Sequence, residues 1–389
     1  MRRIKYIAAA LLAASALTLS ACSDADLAVR DEYGRFGTQN RWVYSAAEDP
    51  DADAIWAQMT ACTAALEASL SVSAEGGDIA RFNAAAAGQT VSVGETAYKV
   101  LQTAMAIYEE TDGAYDPAVG LLVDLWGFSA SHRSSGYEPT LAYDRADPES
   151  ELPAQTYIEA FSDPALRDFG AVALAEEDCA YSVVKPDTVA SAVEGDGATY
   201  TMQLCLDGIG KGASVDAAWE ILRAADVRYG YYSAGGSSLL VLENPAHNDG
   251  LWEITVNSPR EELGASYATL SVSNTTISTS GDYEQYYEIG GTRYCHIIGR
   301  DGMPVGAGSH VLCATVVGGS AAAGDARATA LVAMTEEEAV AYASAHADAF
   351  RVMFVWYDAA EDSYALYTNL DKESYELTAS FDRDRKSVV

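Results

Sequence analysis

Asp325-Ala326-Arg327-Ala328-Thr329 begins the run of sequence that decides the fold class. We interpret this stretch as helical, and Thr335-Glu336-Glu337-Glu338 beyond it resembles a capping box that opens the next helix. The strongly apolar run from Phe350 to Tyr357 then predicts a strand. Helices and strands therefore follow one another in this part of the chain.

The same succession extends towards the N-terminal half. Apolar residues recur at helical spacing in 51–70 and 96–108, and alternating patterns predict strands at 252–256 and 268–273. The segment 129–200 is long, acidic and without a clear pattern, so we predict an elaboration on the fold. These features predict an α+β fold, a single domain with mixed sheets and flanking helices.

Four parts of the chain follow from its composition along the sequence. Residues 1–21 combine a basic start with a short apolar run, which is typical of a signal peptide, and Leu19-Ser20-Ala21-Cys22 resembles the lipobox of bacterial lipoproteins. A polar tether at 22–35, a main domain at 36–375 and a C-terminal tail at 376–389 would follow. We expect a protein anchored by lipid at Cys22 on the extracytoplasmic face of the cell membrane, without a transmembrane helix in its mature form. An ordinary cleavage site with an incidental cysteine is the alternative.

The chain is strongly acidic. Its formal net charge of −33 becomes −36 once the three basic residues of the signal peptide are removed. Such a surface repels nucleic acid, which needs a basic footprint. It also repels nucleotides at long range, so a phosphate ligand must be met by a cation and by local backbone donors.

The cysteines do not form a recognisable framework. Apart from Cys22, five are scattered along the chain without a Cys-x-x-Cys pair: Cys62, Cys179, Cys205, Cys295 and Cys313. A zinc site is therefore not expected, and the odd number leaves at least one thiol free. The sequence leaves the disulfide pairing and the oligomeric state open.

Asp325 and Thr329 are candidate metal ligands. Residues four apart on a helix lie on the same face, one turn apart. Carboxylate and hydroxyl groups are hard oxygen donors that suit a magnesium ion holding phosphates. Solvated surface is the alternative, because this spacing occurs by chance in many helices.

A glycine-rich stretch adds a candidate anion site. Gly208-Ile209-Gly210-Lys211-Gly212 leads into a helix, so its backbone amides could approach an anion at the positive helix end while Lys211 adds charge. A plain turn with a surface lysine is the alternative.

Several blocks of the sequence, in this order, resemble the flavin transferases of the ApbE family. They are Phe36-Gly37-Thr38, Gly77 to Asn83, Thr111 to Gly120 running on to Leu125-Trp126-Gly127-Phe128, Asp207 to Gly212 with Asp216, Ser233 to Gly236, Ser278 to Tyr283, His296-Ile297-Ile298, and Asp325 with Thr329. No single block decides the resemblance; their order and spacing carry it.

The resemblance implies an enzyme with FAD as its substrate and Mg²⁺ as its cofactor. Such an enzyme transfers FMN from FAD to a threonine of an extracytoplasmic acceptor protein through a phosphoester bond and releases AMP. Gly208 would offer its backbone carbonyl to the metal, and Asp325 and Thr329 their side-chain oxygens. The residues implied to contact the flavin nucleotide are Phe36, Ala114, Tyr115, Asp116, Cys205, Lys211 and Ile298.

His296 is the implied proton acceptor, because imidazole titrates near neutral pH and lies in a matched block. A histidine satisfied in the core is the alternative, just as Asp116-Pro117 could be a simple turn or cap. Cys205 and Asp207 depart from the family pattern, since relatives carry an aspartate at the position of Cys205 and glycine at that of Asp207. A lipid-anchored protein that binds FAD without transferring it is therefore the alternative function. The sequence does not identify the acceptor.

Overall fold

A computed structural model describes residues 26–48, 50–128, 152–189, 193, 197–306, 310–378, 381 and 386–388. The predicted signal peptide, Cys22 and the part of the acidic segment at 129–151 lie outside the described residues. Within the described residues, no helix has both the length and the apolar character needed to cross a bilayer.

Helices and strands are mixed along the described ranges. The α-helices are α1 Ala52–Leu70, α2 Asp78–Ala84, α3 Glu95–Glu110, α4 Gly120–Leu125, α5 Gln155–Phe161, α6 Pro164–Arg167, α7 Asp207–Ala224, α8 Ala321–Ala333 and α9 Glu336–Ala345. The strands are β1 Leu27–Arg35, β2 Thr38–Ser45, β3 Thr90–Val93, β4 Ala173–Glu177, β5 Ala180–Val184, β6 Gly230–Ala234, β7 Ser238–Val241, β8 Trp252–Asn257, β9 Ser266–Val272, β10 Thr275–Gly281, β11 Tyr286–Ile289, β12 Thr292–Cys295, β13 Val311–Val317, β14 Arg351–Asp358, β15 Ser363–Thr368, β16 Tyr375–Leu377 and β17 Lys386–Val388.

A large mixed sheet forms the centre of the fold. Its strand order is β1-β2-β6-β7-β10-β13-β14-β15-β17, and its neighbours run antiparallel except for β15 and β17. Helices cover one face, where Trp42 and Val316 are buried with α1, α7 and α8. The three-stranded sheet β16-β9-β8 covers the other face, towards which Val43 and Val317 point. The predicted α+β fold with mixed sheets and flanking helices is confirmed.

Several local predictions hold because short-range chemistry decides them. The helix predicted at 51–70 is α1, and Asp51 caps it by accepting a hydrogen bond from the Ala54 amide. Thr335 forms the complete capping box with Glu338 at the start of α9. The apolar run predicted as a strand is β14, which is buried because both of its faces are covered.

The tether predicted at 22–35 is wrong over most of its length. Leu27 to Arg35 form β1, which pairs antiparallel with β2 at the edge of the large sheet. The segment looks polar because charged residues stand on both faces of this edge strand: Asp31 is exposed, and Arg30 and Glu32 on the opposite face are partly exposed.

The tail predicted at 376–389 also joins the fold. β16 pairs with β9, β17 pairs in parallel with β15, and the Phe381 side chain between them is only 2% exposed. The folded part therefore extends at both ends beyond the predicted domain.

The acidic segment is ordered where it is described. It contributes α5, α6 and the β4–β5 hairpin, and β5 pairs with β3 from the helical layer. Lys185, directly after β5, is fully buried and its Nζ donates to the carbonyls of Phe82, Asn83 and Ala85 at the end of α2. The segment is thus tied to the main fold by specific hydrogen bonds.

The predicted glycine turn is instead the first part of a helix. Gly208 to Gly212 lie inside α7, where glycine lets α8 approach closely. A Cβ on Gly212 would come 2.2 Å from the Ala321 carbonyl oxygen, and one on Gly210 would come 2.9 Å from the Phe36 ring. Tertiary packing outweighs the low helix propensity of glycine here.

Candidate active site

The face between α7 and α8 brings the predicted metal ligands together. The Asp325 side chain is 1% exposed, and its Oδ2 accepts a hydrogen bond of 3.0 Å from the Gly212 amide of α7. One turn further along α8, the Thr329 hydroxyl donates to the Asp325 carbonyl at 3.1 Å. A Cβ on Gly208 would lie 3.1 Å from this hydroxyl oxygen. The structure therefore brings Gly208, Asp325 and Thr329 close together at the α7–α8 face.

A second carboxylate fixes the relative position of these helices. Asp216 of α7 accepts from the Ser320 hydroxyl at 2.7 Å and from the Ala321 and Ala322 amides at 2.7 and 3.0 Å. These groups form the N-terminus of α8, where a negative charge is stabilising. Asp216 thus fixes the position of α8, and with it Asp325 and Thr329, along the axis of α7.

The Asp325 carboxylate lies in a site that favours a cation. Burial raises its pKa, while Lys211, the Gly212 amide and the nearby Ser238 hydroxyl act in the opposite direction. The exposed Glu284 experiences the charges of both Lys211 and Asp325. Two carboxylates thus face one lysine, and a bound cation would stabilise their charged forms.

Tyr115 lies beside Gly208, at the edge of this face. Its ring would lie 3.4 Å from a Cβ on Gly208, and Asp325, Cys205 and Asp207 all act on its hydroxyl electrostatically. The side chain is 4% exposed, and its hydroxyl has no hydrogen-bond partner among the described residues. A buried hydroxyl without a partner costs about 1 to 3 kcal/mol. A polar ligand beside Gly208 would remove this cost.

Cys205, a predicted contact of the flavin nucleotide, lies near Tyr115. Its amide donates to the Pro117 carbonyl at 2.8 Å, and the side chain is half-buried. Next to it, Asn83 exchanges two hydrogen bonds with the backbone of Leu204, at 2.8 and 2.9 Å. The segment before α7 is therefore held in position by a residue from a matched block.

Asp116 has a different environment from that of an open contact residue. Its carboxylate pairs with Arg167 of α6 at 2.7 Å, with side chains 5% and 9% exposed, and also accepts from the Ala118 amide at 2.8 Å. Burial raises the pKa of Asp116 although Arg167 acts against the shift. The cap that was the simpler alternative is present. A direct contact with a nucleotide would compete with Arg167 for this carboxylate.

His296 lies beside the end of the loop that carries Glu284. Its amide donates to the Gln285 carbonyl at 3.0 Å, and its Nδ1 is 3.3 Å from the same oxygen. The ring is half-buried and stands at an angle of 67° to the Phe128 ring, 6.4 Å between centroids. The link from His296 to Lys211 and Asp325 thus runs through residues 284 and 285.

The remaining predicted contacts are apolar. Phe36 has a φ of +48°, donates its amide to Glu67 at 2.7 Å and lays its ring against Gly210, next to Lys211. Ala114 is buried beside Tyr115 in the helical layer. Ile298 is buried among Trp126 and Phe128, so it belongs to the wall behind His296 rather than to the α7–α8 face.

The donor set limits what the site can hold. Among the described residues, no group of three or more His, Cys, Asp or Glu side chains is arranged to hold a metal ion. The set at Asp325 instead combines a carboxylate, a hydroxyl and a backbone position, all oxygen donors suited to magnesium with water and phosphate completing its shell. A cavity of about 580 Å³ near Tyr229, Asn244 and His247 includes none of the predicted site residues.

Three site residues were missed from the sequence. The Ser280 hydroxyl is 3.2 Å from that of Thr329 and belongs to the quoted block 278–283, which could have suggested it. Glu284 directly follows the same block. Arg167 comes from the acidic segment and pairs with a residue 51 positions away, for which the sequence held no indication.

The ApbE family model matches residues 36–354 of this chain. The chain belongs to the ApbE family. Relatives named FAD:protein FMN transferase include a Rhodobacter capsulatus protein, 29% identical over 67% of this chain and 43% of its own length. Another, from Vibrio cholerae, is 26% identical over 69% of this chain and 70% of its own length. A third, from Escherichia coli, is 25% identical over 67% of this chain and 65% of its own length. The match thus covers less than half of the Rhodobacter protein and about two thirds of the other two.

Solved structures of ApbE proteins share the fold. The flavin transferase ApbE from Vibrio cholerae aligns with a TM-score of 0.69 and 22% identity, over 93% of this chain and 100% of that one. The apo flavinyl transferase ApbE of Pseudomonas stutzeri aligns with a TM-score of 0.68 and 22% identity, over 92% and 96%. This ApbE-family chain therefore shares its overall fold with both proteins.

Proposed function

We propose that this ApbE-family protein transfers FMN from FAD to a threonine of an acceptor protein, forming a phosphoester bond and releasing AMP. The observation that carries the proposal is the α7–α8 face, where the buried Asp325 lies with Thr329 and Gly208. The charge of Lys211 acts on Asp325, and the nearby Tyr115 hydroxyl has no partner among the described residues. Oxygen donors and a lysine at one place suit a cation together with a pyrophosphate. The names of the relatives agree with this reaction.

Asp325, Thr329 and the Gly208 carbonyl are the residues that would hold magnesium. A bound magnesium ion supplies charge neutralisation on the pyrophosphate oxygens. Lys211 would contact the same phosphates from the side of α7. The Tyr115 hydroxyl would donate a hydrogen bond to the bound nucleotide. The Phe36 ring would shield the phosphates from water.

The reaction balances with few groups. The acceptor threonine oxygen attacks the phosphorus on the riboflavin side, the bond from that phosphorus to the oxygen of AMP breaks, and the threonine proton leaves. We assign to His296 the role of taking this proton. The contact of Nδ1 with the Gln285 carbonyl supports this role, because it would make Nδ1 the protonated nitrogen of the neutral ring and Nε2 the basic one. Positioning and charge neutralisation supply most of the rate in such transfers.

Replacing His296 with asparagine is expected to lower the transfer rate by about 10²-fold, the usual contribution of a positioned base. Asparagine can still donate to the Gln285 carbonyl, so FAD binding should change little. The comparison is between kcat and the FAD dissociation constant, measured by flavin fluorescence. An unchanged kcat would exclude His296 as the base.

The function is tested by incubating the protein with FAD, Mg²⁺ and an acceptor domain. Covalent FMN on the acceptor together with one AMP per modified threonine is the expected result. Retention of FAD without AMP release, in the presence of an acceptor competent with a known transferase, would instead favour a lipid-anchored FAD-binding protein.

A lipid anchor at Cys22 would hold the protein at the extracytoplasmic face of the membrane. The Ala46 amide donates to the Asp26 carbonyl at 2.8 Å, so the fold begins only four residues after Cys22. Such a link spans at most about 14 Å. Because a strand rises about 3.3 Å per residue, β1 carries the chain roughly 30 Å further to Phe36 and the candidate site.

The anchor predicts where the protein is found after cell fractionation. Wild-type protein should be recovered with membranes and released by detergent. The Cys22→Ala variant should lose the acyl chains, which supply most of the affinity for the bilayer. Equal membrane association of the two proteins would contradict lipidation at Cys22.

A further inference from the structure

We propose that the ion pair between Arg327 and Glu110 positions α8 relative to Tyr115 at the candidate site. Both are positioning residues, and this inference rests on the proposed function. The pair lies on the side of α8 opposite to the candidate metal ligands, so neither residue would touch the substrate.

The position of Arg327 in α8 makes it the counterpart of the site residues. It lies two residues after Asp325 and two before Thr329, and two residues of an α-helix correspond to a rotation of about 200°. Its side chain therefore points away from both ligands. Nε and Nη2 of Arg327 donate to Oε1 and Oε2 of Glu110 at 2.9 and 2.8 Å, and the side chains are only 14% and 22% exposed. This is a bidentate pair with little access to water.

Glu110 connects this pair to Tyr115. It is the last residue of α3, and the chain turns immediately afterwards to Tyr115. The turn is closed by hydrogen bonds: the Thr111 hydroxyl donates to the Ile107 carbonyl at 2.6 Å and accepts from the Tyr115 amide at 3.2 Å. The Gly113 amide also donates to the Tyr108 carbonyl at 2.9 Å. A shift of Glu110 relative to Arg327 would therefore move Tyr115 relative to Asp325 and Thr329.

The surroundings hold the pair in one geometry. The Tyr342 hydroxyl of α9 donates to Glu110 Oε1, and the Arg327 guanidinium lies 4.7 Å from the centroid of the Phe350 ring. Burial alone would raise the pKa of Glu110, but the hydrogen bonds from Arg327 and Tyr342 bring this pKa below its ordinary value. Lysine has no planar fork and could not satisfy both carboxylate oxygens from this ring-stacked position.

The same end of α3 also receives the loop that carries His296. Arg300 donates from Nε to the Asp112 carbonyl and from Nη2 to the Thr111 carbonyl, both at 3.1 Å, and from Nη1 to Glu338 of α9 at 2.9 Å. Three parts of the candidate site thus meet at the residues that follow α3. The Arg327–Glu110 pair is the contact that brings α8 into this junction.

The test compares Arg327→Lys with Arg41→Lys. Arg41 makes a bidentate pair with Asp31 at 2.8 and 3.1 Å between β1 and β2, so the control loses the same geometry away from the α7–α8 face. Two quantities are measured: the Mg²⁺ concentration that gives half-maximal AMP release, and the rise in unfolding temperature produced by Mg²⁺ with FAD. The half-maximal Mg²⁺ concentration should increase about 10-fold in Arg327→Lys, as it does when residues that orient metal ligands are changed, with kcat much less affected. The rise in unfolding temperature should be smaller in Arg327→Lys. Arg41→Lys should match wild type in both quantities.

Each outcome decides. Wild-type Mg²⁺ dependence in a folded Arg327→Lys protein, or an equal change in Arg41→Lys, would overturn the proposal. If Arg327→Lys does not fold, Glu110→Gln replaces it, because glutamine keeps the size of the side chain and weakens the pair; the same criteria apply. If the wild-type protein releases no AMP, the proposed function fails, and the Mg²⁺ and FAD effect on unfolding still tests the positioning.

Discussion

The Asp325→Asn variant is expected to lose FMN transfer almost completely, by about a thousandfold or more. Loss of the cation would remove several kcal/mol of charge stabilisation in the transition state, and about 1.4 kcal/mol corresponds to each tenfold. Asparagine keeps the shape of the side chain and an oxygen to accept from the Gly212 amide. The rate of AMP release with saturating FAD measures the effect.

The stability of this variant separates loss of the cation from loss of the fold. Because burial raises the pKa of Asp325, the charged side chain costs the metal-free protein free energy. Asp325→Asn should therefore unfold at the same or a higher temperature than wild type without Mg²⁺, and should lose the stabilisation by Mg²⁺. Asp249→Asn, beside the cavity near Tyr229, is the matched control and should behave as wild type. Retained transfer in Asp325→Asn would show that the metal assignment is wrong.

The largest loss of stability is expected from Arg167→Met. This change leaves the Asp116 carboxylate buried without its partner, and removal of one member of a buried ion pair costs about 3 to 5 kcal/mol. Denaturant unfolding measures the difference. Arg223→Met is the control: Arg223 and Glu220 are both 69% exposed, so a change well below 1 kcal/mol is expected there.

The dependence of this loss on pH has a definite sign. Burial raises the pKa of Asp116 above 3.8, and without Arg167 the folded protein would favour the protonated form further. A native state that binds the proton more tightly loses stability as pH rises. The deficit of Arg167→Met should therefore grow as pH rises past the native pKa of Asp116 in wild type and shrink as pH falls below it. It should be partly recovered by Arg167→Met/Asp116→Asn. A deficit that is independent of pH would contradict this account of the pair.

The sequence predicted those parts of the fold that depend on neighbouring residues. The capping box at Thr335 follows from local hydrogen bonding. β1 was missed because this edge strand pairs only with β2 and carries charged residues on both faces. β17 pairs with β15 across a distance in sequence that no local pattern encodes. The start of α7 resembles a turn in the sequence because its glycines serve contact with α8 rather than chain reversal.

The candidate site divides in the same way. Asp325, Thr329 and Gly208 could be brought together in advance by helical spacing and by resemblance to the family. Arg167 and Glu110 could not, since each acquires its role from a partner that only the three-dimensional fold brings close. Asp116 is predicted from the resemblance as a flavin-nucleotide contact, and the fold adds a buried ion pair with Arg167 that the sequence did not indicate.

The mass of an acceptor domain after incubation with FAD and Mg²⁺, with wild-type protein and Asp325→Asn in parallel, tests the central claim most directly. With wild type, the acceptor should gain the mass of one FMN less water, and an equal amount of AMP should appear. The gain in mass should disappear when the acceptor threonine is replaced by alanine. With Asp325→Asn, the acceptor mass should stay unchanged. An acceptor left unmodified by wild type, or modified equally by both proteins, would contradict an FMN transfer that depends on Asp325.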